Sequence, residues 1–149
     1  MSAGPVAANL LRVSSLLDES IALALDLRAY LELRNDRPIG ARPELAVLTE
    51  ARELAQLSAS LGYCLAWLVT REAVHAGELS RHEAGHPGYR LGGAEMNHAE
   101  HVAPAASVSA PLAALALRGR RLYERVARLD GQARAADTSG CVVSTAASL

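Results

Sequence analysis

Between Leu112 and Ala133, apolar or small residues recur in steps of three and four without a miss: Leu112, Leu115, Gly119, Leu122, Val126, Leu129 and Ala133. Only an α-helix brings residues at that spacing onto one face, whereas a half-buried strand needs strict alternation. The pattern occurs twice more upstream. Leu17, Ile21, Ala24, Leu27 and Leu31 mark a helix over residues 13–34, and Leu16, Leu23, Leu25 and Leu33 widen its apolar side. Val47, Ala51, Leu54, Leu57, Leu61, Leu65 and Leu68 mark a second over residues 43–76. The third is expected over residues 110–135. Composition agrees with this reading: 54 of 149 residues are Ala or Leu, which lose least on entering a helix, and Phe is absent. A sandwich or barrel built from β-branched and aromatic residues is excluded on the same ground.

Punctuation sets the boundaries. Ser15 with Asp18 gives a start for the first helix, with Asn9 as an earlier capping alternative. The run from Asn35 to Pro43 holds two prolines, a glycine and an Asn-Asp pair, and reads as a loop. Pro43 suits a first helical turn and Gly77 a helix stop. At about 1.5 Å per residue the second helix would span roughly 50 Å, with Gly62 inviting either a break or the close approach of a neighbour. Residues 78–109 concentrate four of the five histidines with four glycines and two prolines, which predicts a long mobile connection. Within it, Ser80 and Glu83 form a capping box for one short turn. Ser109 and Pro111 open the third helix, and Gly119 on its seam suggests tight helix contact. Residues 137–149 are small, polar and without period, so a disordered tail is expected. The expected fold is all-α: an antiparallel three-helix bundle in one domain, residues 1–136.

Charge excludes some functions. Fifteen arginines and no lysine face sixteen acidic residues, leaving a formal net charge of -1, so no whole-molecule field draws nucleic acid or an anionic membrane. The longest near-apolar run, residues 59–69, is too short for a bilayer, which takes about 20 residues. Two distant cysteines, Cys64 and Cys141, make no disulfide framework, and no signal-peptide pattern opens the chain. A cytoplasmic protein in a reducing compartment is expected.

The string His82-Glu83-Ala84-Gly85-His86 matches H-E-x-x-H, in which two imidazoles one turn apart share a zinc ion and the glutamate acts as general base. That chemistry needs one helix to persist through both histidines, and Pro87-Gly88 follows at once. A third ligand would come from His98, Glu100 or His101. A capped turn bearing solvated histidines is the favoured reading, so no metal, cofactor or catalytic residue is assigned. Arg118, Arg121, Arg125 and Arg128 line one side of the third helix, with Arg120 and Arg134 nearby. The stripe could grip phosphates, as in a nucleic-acid-associated protein, or an acidic partner, but Glu124 and Asp130 dilute it and a solvated arginine face is the default. Cys64 lies in an apolar run where thiols are inert, and no nucleophile elbow, P-loop or dinucleotide fingerprint occurs.

Three strings carry a family likeness. They are Leu65-Ala66-Trp67-Leu68-Val69-Thr70-Arg71-Glu72-Ala73-Val74 running into Gly77-Glu78-Leu79-Ser80; Tyr89-Arg90-Leu91-Gly92; and Arg121-Leu122-Tyr123-Glu124-Arg125-Val126-Ala127-Arg128-Leu129-Asp130. The pattern, over residues 10–132, resembles the alphaproteobacterial RcdA-like family, the regulators of CtrA degradation. The resemblance implies a dimerising three-helix bundle with a disordered tail. It also implies a non-enzymatic adaptor role in the cytoplasm, at the cell pole by the same likeness: bridging substrates or further adaptors to the ClpXP protease during cell-cycle progression. By position, Trp67, Arg71, Glu78, Arg121, Tyr123, Arg125 and Asp130 match residues that recur in the family. Trp67 and Leu122 read as structural, and Arg71, Glu78, Arg118, Arg121, Arg125 and Arg128 as partner-binding candidates, with neither nucleic acid nor membrane as partner.

Overall fold

The computed structural model describes residues 5–36, 40, 42–98 and 108–146. These residues form five α-helices and one 3₁₀ turn, with no strand among them: α1 Pro5–Asn35, α2 Glu44–His75, α3 Arg81–Ala84, the 3₁₀ turn Pro87–Tyr89, α4 Ala94–His98 and α5 Ala110–Ala146.

Local chemistry explains most of the ends. α1 starts at Pro5, earlier than either Ser15 or Asn9, because proline in a first turn leaves no orphan N–H. α2 follows Pro43, carries Glu44 in its first turn against the positive end of the helix dipole, and runs unbroken through Gly62. It stops at a Schellman closure: Gly77 at φ +77° lets the Glu78 N–H donate to Ala73 O (2.9 Å) and the Gly77 N–H to Val74 O (3.2 Å). Ser109 opens α5, its Oγ accepting from the Leu112 N–H at 3.4 Å. α5 does not end near residue 135. It continues as helix to Ala146, which overturns the disordered tail expected over residues 137–149 as far as the structure describes them. The hydroxyls that suggest a turn are absorbed by the helix itself: Thr138 Oγ1 donates to Arg134 O (2.9 Å) and Ser139 Oγ to Ala135 O (3.0 Å).

The three long helices each pack on the other two. Val13, Leu16, Leu23 and Leu27 from α1 meet Leu54, Leu57, Leu61 and Leu68 from α2 and Leu112, Leu115, Leu122 and Val126 from α5 in one core cluster. Each fully buried aliphatic side chain stabilises by about 1.5–3 kcal/mol, so this cluster is the main driving term. Gly119 lies under Leu57: a Cβ there would fall 2.3 Å from Leu57 Cδ1, the tight contact its seam position predicts. Gly62 is different. It is exposed, and nothing lies within 4 Å of where a Cβ would stand, so no neighbour approaches it.

Helix directions correct the antiparallel expectation. Glu19 pairs with Arg125 and Asp26 with Arg118, so α1 runs against α5. Leu57 meets Gly119 and Trp67 meets Asp130, so α2 and α5 run the same way. The connection after α2 must therefore travel back along the molecule. Through residue 97 it is hydrogen-bonded to the long helices. The Tyr123 hydroxyl donates to Gly92 O (2.8 Å), Gln56 Nε2 to Met96 O (3.0 Å) and Ser60 Oγ to Asn97 Oδ1 (3.2 Å). The Tyr63 ring covers Gly92 and Gly93, where added Cβ atoms would sit 2.6–2.7 Å from its carbons, and Gly93 holds φ +80°.

The buried face of α1 is rotated from the stripe read in the sequence, whereas α2 and α5 keep most of theirs. α1 buries Val13, Leu16, Ser20, Leu23 and Leu27, while Ile21 is exposed and Leu17 only partly covered. α2 buries Ala46, Glu50, Leu54, Leu57, Leu61, Cys64 and Leu68. A polar residue sits within each true stripe and hides it from an apolar count. Ser20 satisfies itself by donating to Leu16 O (2.7 Å). Glu50, 2% exposed, is held by three side chains: the Tyr30 hydroxyl (2.9 Å), Arg34 Nε (3.0 Å) and Arg42 Nη1 (2.6 Å). Burial alone would raise the Glu50 pKa, but the Tyr30 and Arg42 hydrogen bonds and the two guanidinium charges outweigh it and lower it below the ordinary glutamate value.

Two outcomes follow from this packing. Gly62→Ala removes helix-interior glycine at an open site and raises stability by about 1 kcal/mol, read by thermal or urea denaturation; a drop would mean the site is covered. A lowered folded-state pKa makes the Glu50 contribution complete above the unfolded carboxylate value and lost as pH falls through the folded one. Urea midpoints measured from neutral pH down through the acid range should thus fall more steeply in the wild type than in Glu50→Gln. Glu50→Ala should cost about 1–3 kcal/mol at neutral pH, because water can still reach the two arginines it leaves behind.

Candidate functional site

The H-E-x-x-H string does not form a helical metal face. α3 ends at Ala84, so His82 lies on the helix and His86 beyond it. His86 instead caps the 3₁₀ turn, its Nδ1 accepting from the Gly88 N–H at 3.2 Å. Glu83 is occupied by the capping box: its Oε2 accepts from the Ser80 N–H (2.9 Å) and the Ser80 hydroxyl (2.6 Å), while the Glu83 N–H donates to Ser80 Oγ (3.1 Å). Those Ser80 hydrogen bonds lower the Glu83 pKa and favour its carboxylate as an acceptor. Among the described residues, no three His, Cys, Asp or Glu side chains gather as a metal site. The side chain of His98 and residues 99–107, with Glu100 and His101, lie outside the described residues.

The partner-binding candidates separate into four groups. Arg118 and Arg125 fold back onto α1, each 2.6 Å from a carboxylate, of Asp26 and Glu19 respectively. All four side chains are about half exposed, so each pair contributes about 0–1 kcal/mol and serves mainly to set how α1 lies on α5. Arg121 and Arg128 are exposed on the outward side of α5 and make no ion pair among the described residues. Arg71 is half-buried, its guanidinium 4.9 Å above the Trp67 ring and its Nη2 donating to Ala84 O at 3.4 Å. Glu78 is exposed just beyond the Gly77 turn.

The three strings quoted above meet one another. Trp67, 3% exposed, donates from Nε1 to Asp130 Oδ1 at 2.8 Å, and Asp130, 1% exposed, also accepts from Arg134 Nη2 on its other oxygen at 2.6 Å. Tyr123 reaches Gly92. Trp67, Leu122, Tyr123 and Asp130 are therefore residues that hold the helices and the connection together. Burial pushes the Cys64 thiol up to about 12, consistent with a packed, unreactive side chain. Burial likewise raises the Tyr123 phenol. The fold brings Arg81, Arg90 and Asp137, none of them a candidate by sequence, to one cleft with Arg134, His82 and His86. They come from α3, the segment after the 3₁₀ turn, and α5, so no short spacing could flag them.

Comparison with known proteins gives a family match: the model of a family described as Protein of unknown function (DUF1465) covers residues 6–147. No curated protein and no solved structure matches the chain. Among the described residues no helix is long and apolar enough to cross a membrane.

The tryptophan–aspartate tie yields a prediction. Asp130→Ala leaves the buried Trp67 N–H unsatisfied and should destabilise by about 1–3 kcal/mol, with Asp130→Asn milder because an acceptor remains. Chemical denaturation of both variants checks the order; an equal loss would show that the Arg134 ion pair, not the indole, matters.

Proposed function

The chain belongs to the family described as Protein of unknown function (DUF1465), and from that premise we propose that it is a non-enzymatic adaptor of the RcdA-like kind. On this reading it is a dimeric three-helix bundle in the cytoplasm that brings substrates, or adaptors already carrying them, to the ClpXP protease in cell-cycle control. The observation that carries it is the outward surface of α1 and α2. Leu11, Ile21, Leu25 and Leu33 on α1 and Leu45, Leu48 and Val69 on α2 are all exposed, on sides turned away from the core. Exposed apolar side chains that recur along one helix, as Ile21 and Leu25 do one turn apart on α1, are a place where another protein can dock. The resemblance of the three strings supplies the kind of partner. Their meeting at Trp67–Asp130 and Tyr123–Gly92 supports a shared scaffold, with exposed side chains left to carry the recognition.

The two other readings draw less from the geometry. A zinc hydrolase built on His82, Glu83 and His86 would need the glutamate free and both imidazoles on one helix face, and here both His86 and Glu83 cap turns. A nucleic-acid surface on the arginine stripe would need those guanidiniums available, and Arg118 and Arg125 are paired with Asp26 and Glu19.

Co-purification from extract with the unfoldase, the protease or a substrate-loaded adaptor is the expected result, and capture of none of them would sink the proposal. Light scattering should give a dimer mass. Ile21→Glu combined with Leu25→Glu should keep the helical circular dichroism, abolish the dimer or the partner capture, and so locate the surface. Metal analysis of untagged protein should find zinc well below one per chain; stoichiometric zinc lost on His82→Ala would favour the hydrolase.

A further inference from the structure

Where the ends of α2 and α5 meet α3 and the 3₁₀ turn, they leave an open cleft of about 630 Å³. That volume lies within the roughly 300–1,000 Å³ of ordinary ligand sites. Arg71, Arg81, Arg90 and Arg134 line it, against only the two carboxylates of Asp130 and Asp137. In a chain whose formal charge is -1, this is a local excess of positive charge held in a concave surface, which focuses the field on whatever enters. The four guanidiniums are not equally free. Arg134 is bound to Asp130, and Arg71 lies over Trp67 and donates to Ala84 O. Arg81 and Arg90 are exposed and make no ion pair or side-chain hydrogen bond among the described residues. They are the two available for an incoming anion.

We propose that this cleft docks an acidic peptide segment of a partner protein, with Arg81 and Arg90 taking its carboxylates. Guanidinium groups pair with carboxylates through two parallel N–H donors, and here they come from separate elements around an open rim. A compact phosphate would call instead for converging donors, usually several backbone N–H groups in one nest. Asp130 and Asp137, in the same wall, would repel a concentrated multivalent anion more than single charges spaced along a chain. The inference deepens the adaptor reading and rests on it only for the segment's belonging to a delivered or recruiting protein.

The test is fluorescence anisotropy of a short labelled peptide alternating Glu and Gly, titrated with the full chain at low salt. Wild type is expected to bind, and Arg81→Glu with Arg90→Glu to weaken binding at least about tenfold, equal to about 1.4 kcal/mol. Arg12→Glu with Arg52→Glu carries the same charge change at exposed positions on α1 and α2 outside the cleft and should leave binding nearly intact, with circular dichroism confirming that both variants fold. Equal weakening by both pairs would reduce the effect to bulk charge and overturn the proposal. So would absence of peptide binding by the wild type, or displacement by tripolyphosphate at far lower concentration than by unlabelled peptide. Protease capture without peptide binding removes the cleft assignment alone, whereas peptide binding lost in the Arg81/Arg90 variant upholds it even where no protease is captured.

Discussion

Two buried carboxylates must be satisfied for this chain to hold its shape, and each sits toward a different end of the long helices. Glu50 collects Tyr30 and Arg34 from α1 and Arg42 from the turn before α2, and the Tyr30 hydroxyl also meets Ser109 Oγ at the start of α5 (3.0 Å). Asp130 on α5 collects Trp67 from α2 and Arg134 from its own next turn. A carboxylate out of water is tolerated only when its lone pairs are taken, so each of these groups fixes a small set of neighbours in direction as well as distance. The leucines between them supply most of the driving force without saying which turn of one helix lies beside which turn of another. The polar ends choose that register.

Buried polar residues also decide what can be read in advance. The helical class, the three long segments, the Gly77 stop and the Ser80–Glu83 capping box all rest on local chemistry, and the structure has each of them. The buried face of α1 does not follow the stripe of leucines read in the sequence, and on both α1 and α2 a polar residue, Ser20 or Glu50, occupies a core position that an apolar count skips. Such a count turns Ile21 and Leu25 toward the core, and both are exposed. Residues 78–98 look like open chain when glycine, proline and histidine are read one by one. What orders them comes from elsewhere: the Tyr63 ring on Gly92 and Gly93, and the Tyr123 hydroxyl on Gly92 O. The extension of α5 past residue 135 escapes the sequence for a related reason, since Thr138 and Ser139 bond to their own helix.

The candidate site shows the same division. The histidine string is legible, and so is the reason it fails as a metal helix, because Pro87 follows His86 directly. The arginine stripe is legible as a pattern but not in its outcome. Two of its members pair with α1 carboxylates more than ninety positions away in the chain, and two face solvent. The cleft lined by Arg81 and Arg90 is not legible at all. Its residues are ordinary when taken separately and gain meaning only from the tertiary arrangement.

The shared direction of α2 and α5 carries a kinetic consequence. Eight residues separate α1 from α2 and the two run opposite ways, so their contacts close a small loop and can form early. α5 can reach the same pair only after the connection has doubled back, a larger closure with a greater entropic penalty to be met before any burial is gained. Assembly should therefore be ordered, with a helical hairpin waiting for the last helix. Until it arrives, Leu57 lacks the Gly119 surface on which it rests in the finished bundle.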